Sequence, residues 1–166
     1  MEDFGLGGVF VLGGSGSLGS AICRSFARVG VPVTLSYHSD REAGEAAMAS
    51  VEALGARATL SQVNSSDRDG IVGALAAAAS EWGGLHSVVY AGGTGFAPEF
   101  FSRTEEDVWQ RWLQYDVMGA INLAHAAIPH LRETKGAFTA LSTYQGNMIE
   151  VRGSPSAVAK AAVGRM

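Results

Sequence analysis

The stretch of residues 9–19, VFVLGGSGSLG, constrains the fold of this chain more than any other part of the sequence. Its first four residues are apolar and predict a short buried strand, and the glycines after them predict a tight turn. Apolar residues then recur at helical spacing, at Leu18, Ala21, Ile22, Phe26 and Val29. Gly14, Gly16 and Gly19 match the pattern G-x-G-x-x-G, which carries meaning when it lies between a strand and a helix.

A turn of this kind is suited to a phosphate group. Glycine lets the backbone bend and approach a ligand closely, while the first N–H groups of a helix attract negative charge. Glycine fills 22 of 166 positions, so the bare pattern would arise by chance about 0.3 times in such a chain. The strand before it and the helix after it favour a nucleotide site over the alternative, a turn that is merely tight.

Composition predicts a single domain over residues 1–166 and argues against several classes of partner. The net charge of −4, with no basic stripe, argues against nucleic acid, and no apolar run approaches the length of a membrane span. The start, Met-Glu-Asp-Phe, lacks the basic region of a signal peptide, and Cys23 is the only cysteine, which together predict a cytoplasmic protein. We expect no metal site, because His38, His86, His125 and His130 never fall at i, i+4 spacing.

Five apolar stretches predict strands that alternate with helices. These stretches are residues 9–12, 33–36, 58–63, 87–90 and 137–141. Because they are apolar nearly throughout, they indicate a parallel sheet that is covered on both faces. With right-handed crossovers, the sequence predicts the α/β class: a doubly wound parallel sheet of the Rossmann dinucleotide-binding type, in three layers.

Capping signals predict where the helices begin. Asp40 and Asp67 each precede a helical pattern, Ser102-x-x-Glu105 is typical of a capping box, and Ser154-Pro155 is typical of an N-cap and the first helical residue. The predicted buried stripes lie at Ala43, Ala47, Val51 and Leu54 in the second helix, and at Trp109, Leu113, Val117, Ala120, Ala124 and Ile128 in the long helix.

The unusual turns of the sequence all follow the carboxyl ends of predicted strands. These ends are Leu12, Ser36, Val63, Tyr90 and Leu141, and a second glycine-rich turn, residues 91–95, follows the fourth. Ligands of doubly wound sheets bind at this edge. The sequence therefore predicts a nucleotide site there.

Over its whole length the chain resembles the short-chain dehydrogenase/reductase family. Residues 12–19, LGGSGSLG, stand where the family has T-G-x-x-x-G-x-G, and Ala91-Gly92 matches the end of its N-N-A-G turn. Ser156-Ala157-Val158-Ala159-Lys160 occupies the place of its Y-x-x-x-K. Thr143 lies thirteen residues before Ser156, which is the family's usual offset between the active-site hydroxyl and the tyrosine.

The resemblance implies a catalytic set and also shows departures from it. The family's Asn, Ser, Tyr and Lys correspond to Asp116, Thr143, Ser156 and Lys160, of which only the lysine is unchanged. Thr143 keeps a hydroxyl that can polarise a carbonyl, whereas Asp116 brings a charge to a position that is normally neutral. Ser156 is the severe change, because an aliphatic alcohol is shorter than a phenol and a far weaker acid. Tyr144, beside Thr143, is an alternative source of a phenol.

The resemblance also implies a set of residues that bind a nicotinamide cofactor. They are Gly13, Gly14, Ser15, Gly16, Ser17, Leu18, Gly19, Tyr37, His38, Ser39, Asn64, Ser65, Ala91, Gly92, Gly93 and Lys160. NAD binders carry an acidic residue at the end of the second strand, where this chain has Tyr37. His38 and Ser39 can donate hydrogen bonds to a 2′-phosphate, with Arg41 close by. NADP is therefore expected in preference to NAD.

Two functions remain open. One is an NADP-dependent oxidoreductase that acts on a carbonyl or secondary alcohol. The resemblance to 3-oxoacyl reductases implies a small-molecule substrate of the 3-oxoacyl type. The other is a catalytically silent subunit that pairs with an active relative. The family generally associates through the helix with Asp116 and the helix with Lys160, so a homo- or hetero-oligomer is expected.

The chain ends at residues 163–166 in the middle of a predicted helix, and the family's later strands and substrate-covering loop are absent. The fifth strand would then be an uncovered apolar edge, which natural domains avoid. The chain is either a fragment of a longer protein or an incomplete sequence, and we favour an incomplete sequence.

Overall fold

The computed structural model describes residues 7–95, 98–143 and 151–166, and its centre is a parallel β-sheet. The strands are β1 (Gly8–Leu12), β2 (Val33–Tyr37), β3 (Ala58–Gln62), β4 (Leu85–Tyr90) and β5 (Ala137–Ala140). The order across the sheet is β3-β2-β1-β4-β5, and all four pairings are parallel. The order departs from β1 in both directions, which confirms the predicted doubly wound sheet.

Helices connect these strands. They are α1 (Ser17–Ala27), α2 (Arg41–Glu52), α3 (Arg68–Trp82), α4 (Glu106–Trp112), α5 (Gly119–Thr134) and α6 (Ser154–Val163). A short 3₁₀ turn, Phe101–Arg103, precedes α4, and a π-helical turn, Leu113–Met118, joins α4 to α5. No helix in residues 7–95, 98–143 and 151–166 is long and apolar enough to cross a membrane.

Alternate residues of β1 point into two separate cores. Val9 and Val11 pack with residues of α1 and α2 on one face, and Phe10 and Leu12 pack with residues of α3 and α5 on the other. All four side chains are buried. Both faces of the sheet are therefore covered, as the apolar strands predict, and the three layers are confirmed.

The two predicted helix N-caps that are aspartates are confirmed. Asp40 Oδ1 accepts a hydrogen bond of 2.9 Å from the Ala43 N–H, and Asp67 Oδ1 accepts one of 3.0 Å from the Gly70 N–H. The Ser102 capping box is wrong: Ser102 lies in the 3₁₀ turn, and Glu105 itself is the N-cap of α4. Ser154 is also not an N-cap, because Gly153 takes that position with a φ of 108°, a conformation that favours glycine.

The predicted stripe of the long helix is confirmed at Ala120 and wrong at its two exposed members. Leu113 and Ile128 are exposed, and the buried residues are Trp112, Asp116, Ala120, Leu123, Ala127 and Leu131. Apolar residues line both faces of this helix, and the buried face contains a charged residue. The apolar pattern therefore predicted burial of the neighbouring face. Leu54 is likewise exposed, because α2 ends at Glu52.

Candidate active site

The glycine turn after β1 is held by close packing between backbones. Gly13 has a φ of 79°, and its N–H donates to the Ser36 hydroxyl at 2.9 Å. A Cβ at Gly14 would lie 2.6 Å from the Cβ of Leu35, and a Cβ at Gly19 would collide with the Gly13 carbonyl oxygen. Gly16 is the N-cap of α1, so the N-terminus of that helix opens onto the turn. The glycines thus bring the start of α1 close to the ends of β1 and β2.

A cavity of about 440 Å³ lies over this turn. It is lined by Leu12, Gly13, Ser15, Gly16, Ser36, Tyr37, His38, Val63, Ser65, Ala91, Gly92, Gly93, Thr94, Arg111 and Tyr115. These residues come from the carboxyl ends of four strands and from the helix after β4. We refer to this space as the nucleotide cavity.

The nucleotide cavity contains most of the residues that the resemblance implies for cofactor binding. Of the others, Gly14 and Gly19 pack beneath the turn, and Ser17 starts α1. Ser39 and Asn64 follow β2 and β3 without lining the cavity. Asn64 Oδ1 already accepts hydrogen bonds from the Ser66 N–H at 3.0 Å and the Ser66 hydroxyl at 2.9 Å.

The positively charged side chain that lines this cavity belongs to a residue that the sequence analysis did not predict. Arg41 pairs with Glu45 at 2.7 Å and does not line the cavity. Arg111 does line it, and it is the one lysine or arginine among the described lining residues. Arg111 was missed because a helical pattern alone does not show which face of α4 meets the sheet edge.

Asp116 and Lys160 form a buried ion pair beside the second glycine-rich turn. The Lys160 ammonium lies 2.8 Å from Asp116 Oδ1, and the Asp116 side chain is fully buried. Asp116 Oδ2 accepts two hydrogen bonds of 2.8 Å from Thr94, one from its N–H and one from its hydroxyl. Lys160 also donates to the Gly92 carbonyl at 3.3 Å. The pair therefore joins the π-helical turn, α6 and the turn after β4.

A second cavity, of about 330 Å³, lies on the other side of that turn. Its lining residues are Leu18, Ala91, Gly92, Leu141, Ser142, Thr143, Ser156 and Lys160. We call it the catalytic cavity, because it contains three of the four residues in the implied catalytic set. The fourth, Asp116, contacts it through Lys160. The two cavities share Ala91 and Gly92.

Tyr90, whose ring centre lies 5.7 Å from the Lys160 ammonium, does not replace the missing tyrosine. Tyr90 is fully buried, and its hydroxyl donates to the Tyr115 carbonyl at 2.6 Å. Burial, and to a smaller extent the charge of Asp116, raises the pKa of Tyr90 well above its usual value. Tyr90 is therefore a poor general acid. Tyr144, the alternative that the sequence suggested, lies outside the described residues.

Comparison with known proteins agrees with this geometry. The profile of the family described as short chain dehydrogenase matches residues 8–166. The short-chain dehydrogenase/reductase FrzI of Cladobotryum is 29% identical over 122 residues, which cover 73% of this chain and 46% of FrzI. The 3-oxoacyl-[acyl-carrier-protein] reductase FabG of Staphylococcus aureus is 27% identical over 137 residues, which cover 82% of this chain and 55% of FabG. The chain thus spans about half the length of these relatives.

Solved structures show the same fold. A short chain dehydrogenase from Burkholderia cenocepacia in complex with NADP superposes with a TM-score of 0.86 at 30% identity, over 95% of this chain and 64% of that one. An NAD⁺-bound xylitol dehydrogenase gives a TM-score of 0.91 at 21% identity, over 98% of this chain and 62% of that one. With the family profile covering nearly all of the sequence, the chain belongs to the short-chain dehydrogenase/reductase family.

Proposed function

We propose that this chain forms part of an oxidoreductase that transfers a hydride between NADP(H) and a carbonyl or secondary alcohol. The observation that carries the proposal is the contact between the two cavities at Ala91 and Gly92. One cavity lies over a glycine turn and a helix N-terminus, and the other contains Thr143, Ser156 and Lys160. A dinucleotide that extends from the first into the second would place its reactive ring beside these side chains.

The residues of the nucleotide cavity fit NADP(H). The N-terminus of α1 and the backbone of Gly13, Ser15 and Gly16 would hold the pyrophosphate. Ser15, Tyr37 and His38 would hold the 2′-phosphate, and no Asp or Glu stands among the described lining residues to repel it. The Burkholderia cenocepacia relative, whose structure contains NADP, supports the same preference. When bound, the nicotinamide supplies or accepts the hydride.

The residues of the catalytic cavity would orient the substrate and move its proton. The Thr143 hydroxyl would donate a hydrogen bond to the substrate carbonyl oxygen and so stabilise the charge that develops there. Lys160 would hold the ribose and contribute positive charge, and Ser156, or a water in its place, would relay the proton. Because an alcohol is a much weaker acid than a phenol, we expect this relay to be slow.

A 3-oxoacyl thioester is the proposed substrate class, since FabG of Staphylococcus aureus is a 3-oxoacyl-[acyl-carrier-protein] reductase. Leu18 and Leu141 give the catalytic cavity apolar walls that suit an acyl chain. A cytoplasmic location is part of the proposal. It rests on the single cysteine of the sequence, which suits a reducing compartment.

The proposal is tested by following NADPH oxidation with short 3-oxoacyl thioesters and with simple ketones. We expect measurable turnover that stays below about 1 per second, the lower end of the usual enzyme range. Turnover at ordinary rates would contradict the inferred cost of losing the tyrosine. NADPH binding without any turnover would favour the second candidate function.

The second candidate is a catalytically silent subunit that pairs with an active relative. Two observations favour it: Asp116 forms an ion pair with Lys160, and Ser156 stands where the family has its tyrosine. The π-helical turn, α5 and α6 carry exposed apolar side chains: Leu113, Met118, Ile121, Ile128 and Val158. Exposed apolar side chains on these elements suit association with a second subunit of the same fold. Co-expression with an active relative, followed by size-exclusion chromatography, would show whether the two form a complex.

A further inference from the structure

Arg111 is the one arginine or lysine side chain among the described residues that line the nucleotide cavity. It lies near the end of α4, immediately before the π-helical turn. The chain carries a net charge of −4, so the positive charge of Arg111 at this cavity does not reflect a generally basic surface. None of the motifs that place the chain in its family includes this residue.

The turn that follows Arg111 is fixed to the sheet. The carbonyl oxygen of Tyr115, one helical turn later, accepts hydrogen bonds from the Tyr90 hydroxyl at 2.6 Å and the Ser65 hydroxyl at 3.3 Å. Ser65 follows β3 and, like Val63, lines the nucleotide cavity. The backbone that carries Arg111 is therefore anchored to β4 and to the segment after β3, and no hydrogen bond among the described residues joins it to the end of β2.

The present partners of Arg111 hold it weakly. Its Nη2 lies 3.3 Å from Asp107 Oδ2, and its Nε donates to the Asp107 carbonyl at 3.4 Å. The Arg111 side chain is 56% exposed and that of Asp107 is 70% exposed. Exposed pairs of this kind contribute little free energy, so the guanidinium can change its direction at small cost.

We infer that the Arg111 guanidinium stacks on the adenine ring of the bound nucleotide and closes the adenosine end of the cavity. The inference rests on the proposed binding of NADP(H). A planar guanidinium stacks on aromatic rings, which a lysine ammonium does not reproduce. The groups suited to a 2′-phosphate, Ser15, Tyr37 and His38, come from the glycine turn and the end of β2, whereas Arg111 precedes a turn whose Tyr115 carbonyl accepts a hydrogen bond from Ser65, after β3. Arg111 therefore recognises the base and not the 2′-phosphate.

The experiment is calorimetric titration of wild type, Arg111→Ala, Arg111→Lys and Arg28→Ala with four probes: NADPH, NADH, AMP and nicotinamide mononucleotide. We expect Arg111→Ala to weaken the three adenine-containing probes by one common factor of about ten. Nicotinamide mononucleotide, which has no adenine, keeps its affinity. Arg111→Lys loses most of the same affinity, and Arg28→Ala, the matched control at an exposed position after α1, loses none.

A loss confined to NADPH would overturn the inference, since it would make Arg111 a reader of the 2′-phosphate. Unchanged affinities, full rescue by lysine, or an equal loss of nicotinamide mononucleotide would overturn it as well. Failure of the wild type to bind NADPH would contradict the proposed function itself. The two failures are therefore distinguishable, because only the second appears in the unmutated chain.

Discussion

The ammonium of Lys160 lies 2.8 Å from the carboxylate of Asp116, and both side chains are largely buried, with exposed fractions of 15% and 0%. The other ion pairs of the described residues are formed by exposed side chains. Because Asp116 also accepts two hydrogen bonds from Thr94, the pair fixes the turn that separates the nucleotide cavity from the catalytic cavity. The charge of the lysine is therefore directed at Asp116, beside the place where the family has a tyrosine.

Removing one partner of this pair should destabilise the fold strongly. Lys160→Met leaves a buried carboxylate without its counter-charge, which typically costs about 3–5 kcal/mol of the free energy of unfolding. Adding Asp116→Asn removes the unpaired charge and should restore most of the loss. Urea unfolding of the two single variants and the double variant gives the coupling energy. Additive effects of the two substitutions would show that the pair contributes nothing.

Ser156→Tyr should raise the rate of NADPH oxidation, because it places a phenol one helical turn before Lys160. General acid–base catalysis contributes about 10²–10⁴-fold. We expect the larger gain in the double variant Ser156→Tyr/Asp116→Asn, in which the ammonium is free to lower the pKa of the new phenol. Ser156→Phe is the matched control, since it adds the ring without the hydroxyl. An equal gain from phenylalanine, or no gain in the double variant, would contradict this account of the site.

The local fold was predictable from the sequence wherever short-range chemistry decides it. The turn at Gly13, Gly16 and Gly19 depends on close backbone approach, and the caps at Asp40 and Asp67 depend on a side chain three residues from its partner. The parallel sheet follows from apolar strands that alternate with helices. These features need no knowledge of distant packing.

The Asp116–Lys160 pair and the position of Arg111 were not predictable, because both depend on how separate helices pack. Asp116 lies on a helix whose two faces are both apolar, so the pattern could not identify the buried one. The pair then requires α6 to cross the π-helical turn, a contact between residues 44 positions apart. The resemblance implied the members of the catalytic set, but not that two of them, Asp116 and Lys160, form an ion pair.

Gly19→Ala should abolish nucleotide binding. The new Cβ would collide with the Gly13 carbonyl oxygen, a backbone atom that cannot move without opening the turn. Gly73→Ala is the matched control, since a Cβ at that exposed position of α3 would meet no atom within 4 Å beyond the backbone of its own helix. We expect it to keep nucleotide affinity and to raise the free energy of unfolding by about 1 kcal/mol. Equal NADPH affinities of the two variants in a fluorescence titration would contradict the role given to the turn.

Cys23 should be unreactive in the folded chain. Its side chain is buried in α1, and burial raises the pKa of the thiol from 9.0 to about 12. Ellman's reagent at about pH 8 should therefore label the chain only in denaturant. Since the unfolded thiol ionises at a lower pH than the folded one, this group favours unfolding increasingly as the pH rises from 9.0 toward about 12. Cys23→Ala should lose this part of the pH dependence, and rapid labelling of the folded chain would refute the burial argument.

The central claim, that the cavity over the glycine turn binds NADP(H), is tested most directly by titrating the purified chain with NADPH and with NADH. We expect saturable binding at one site, with NADPH bound at least about tenfold more tightly, because Ser15 and His38 can donate to the 2′-phosphate and no carboxylate stands among the described lining residues. Saturable NADPH binding of this strength is the result that the account predicts. Equal or tighter binding of NADH, or no saturable binding of either nucleotide, would contradict it.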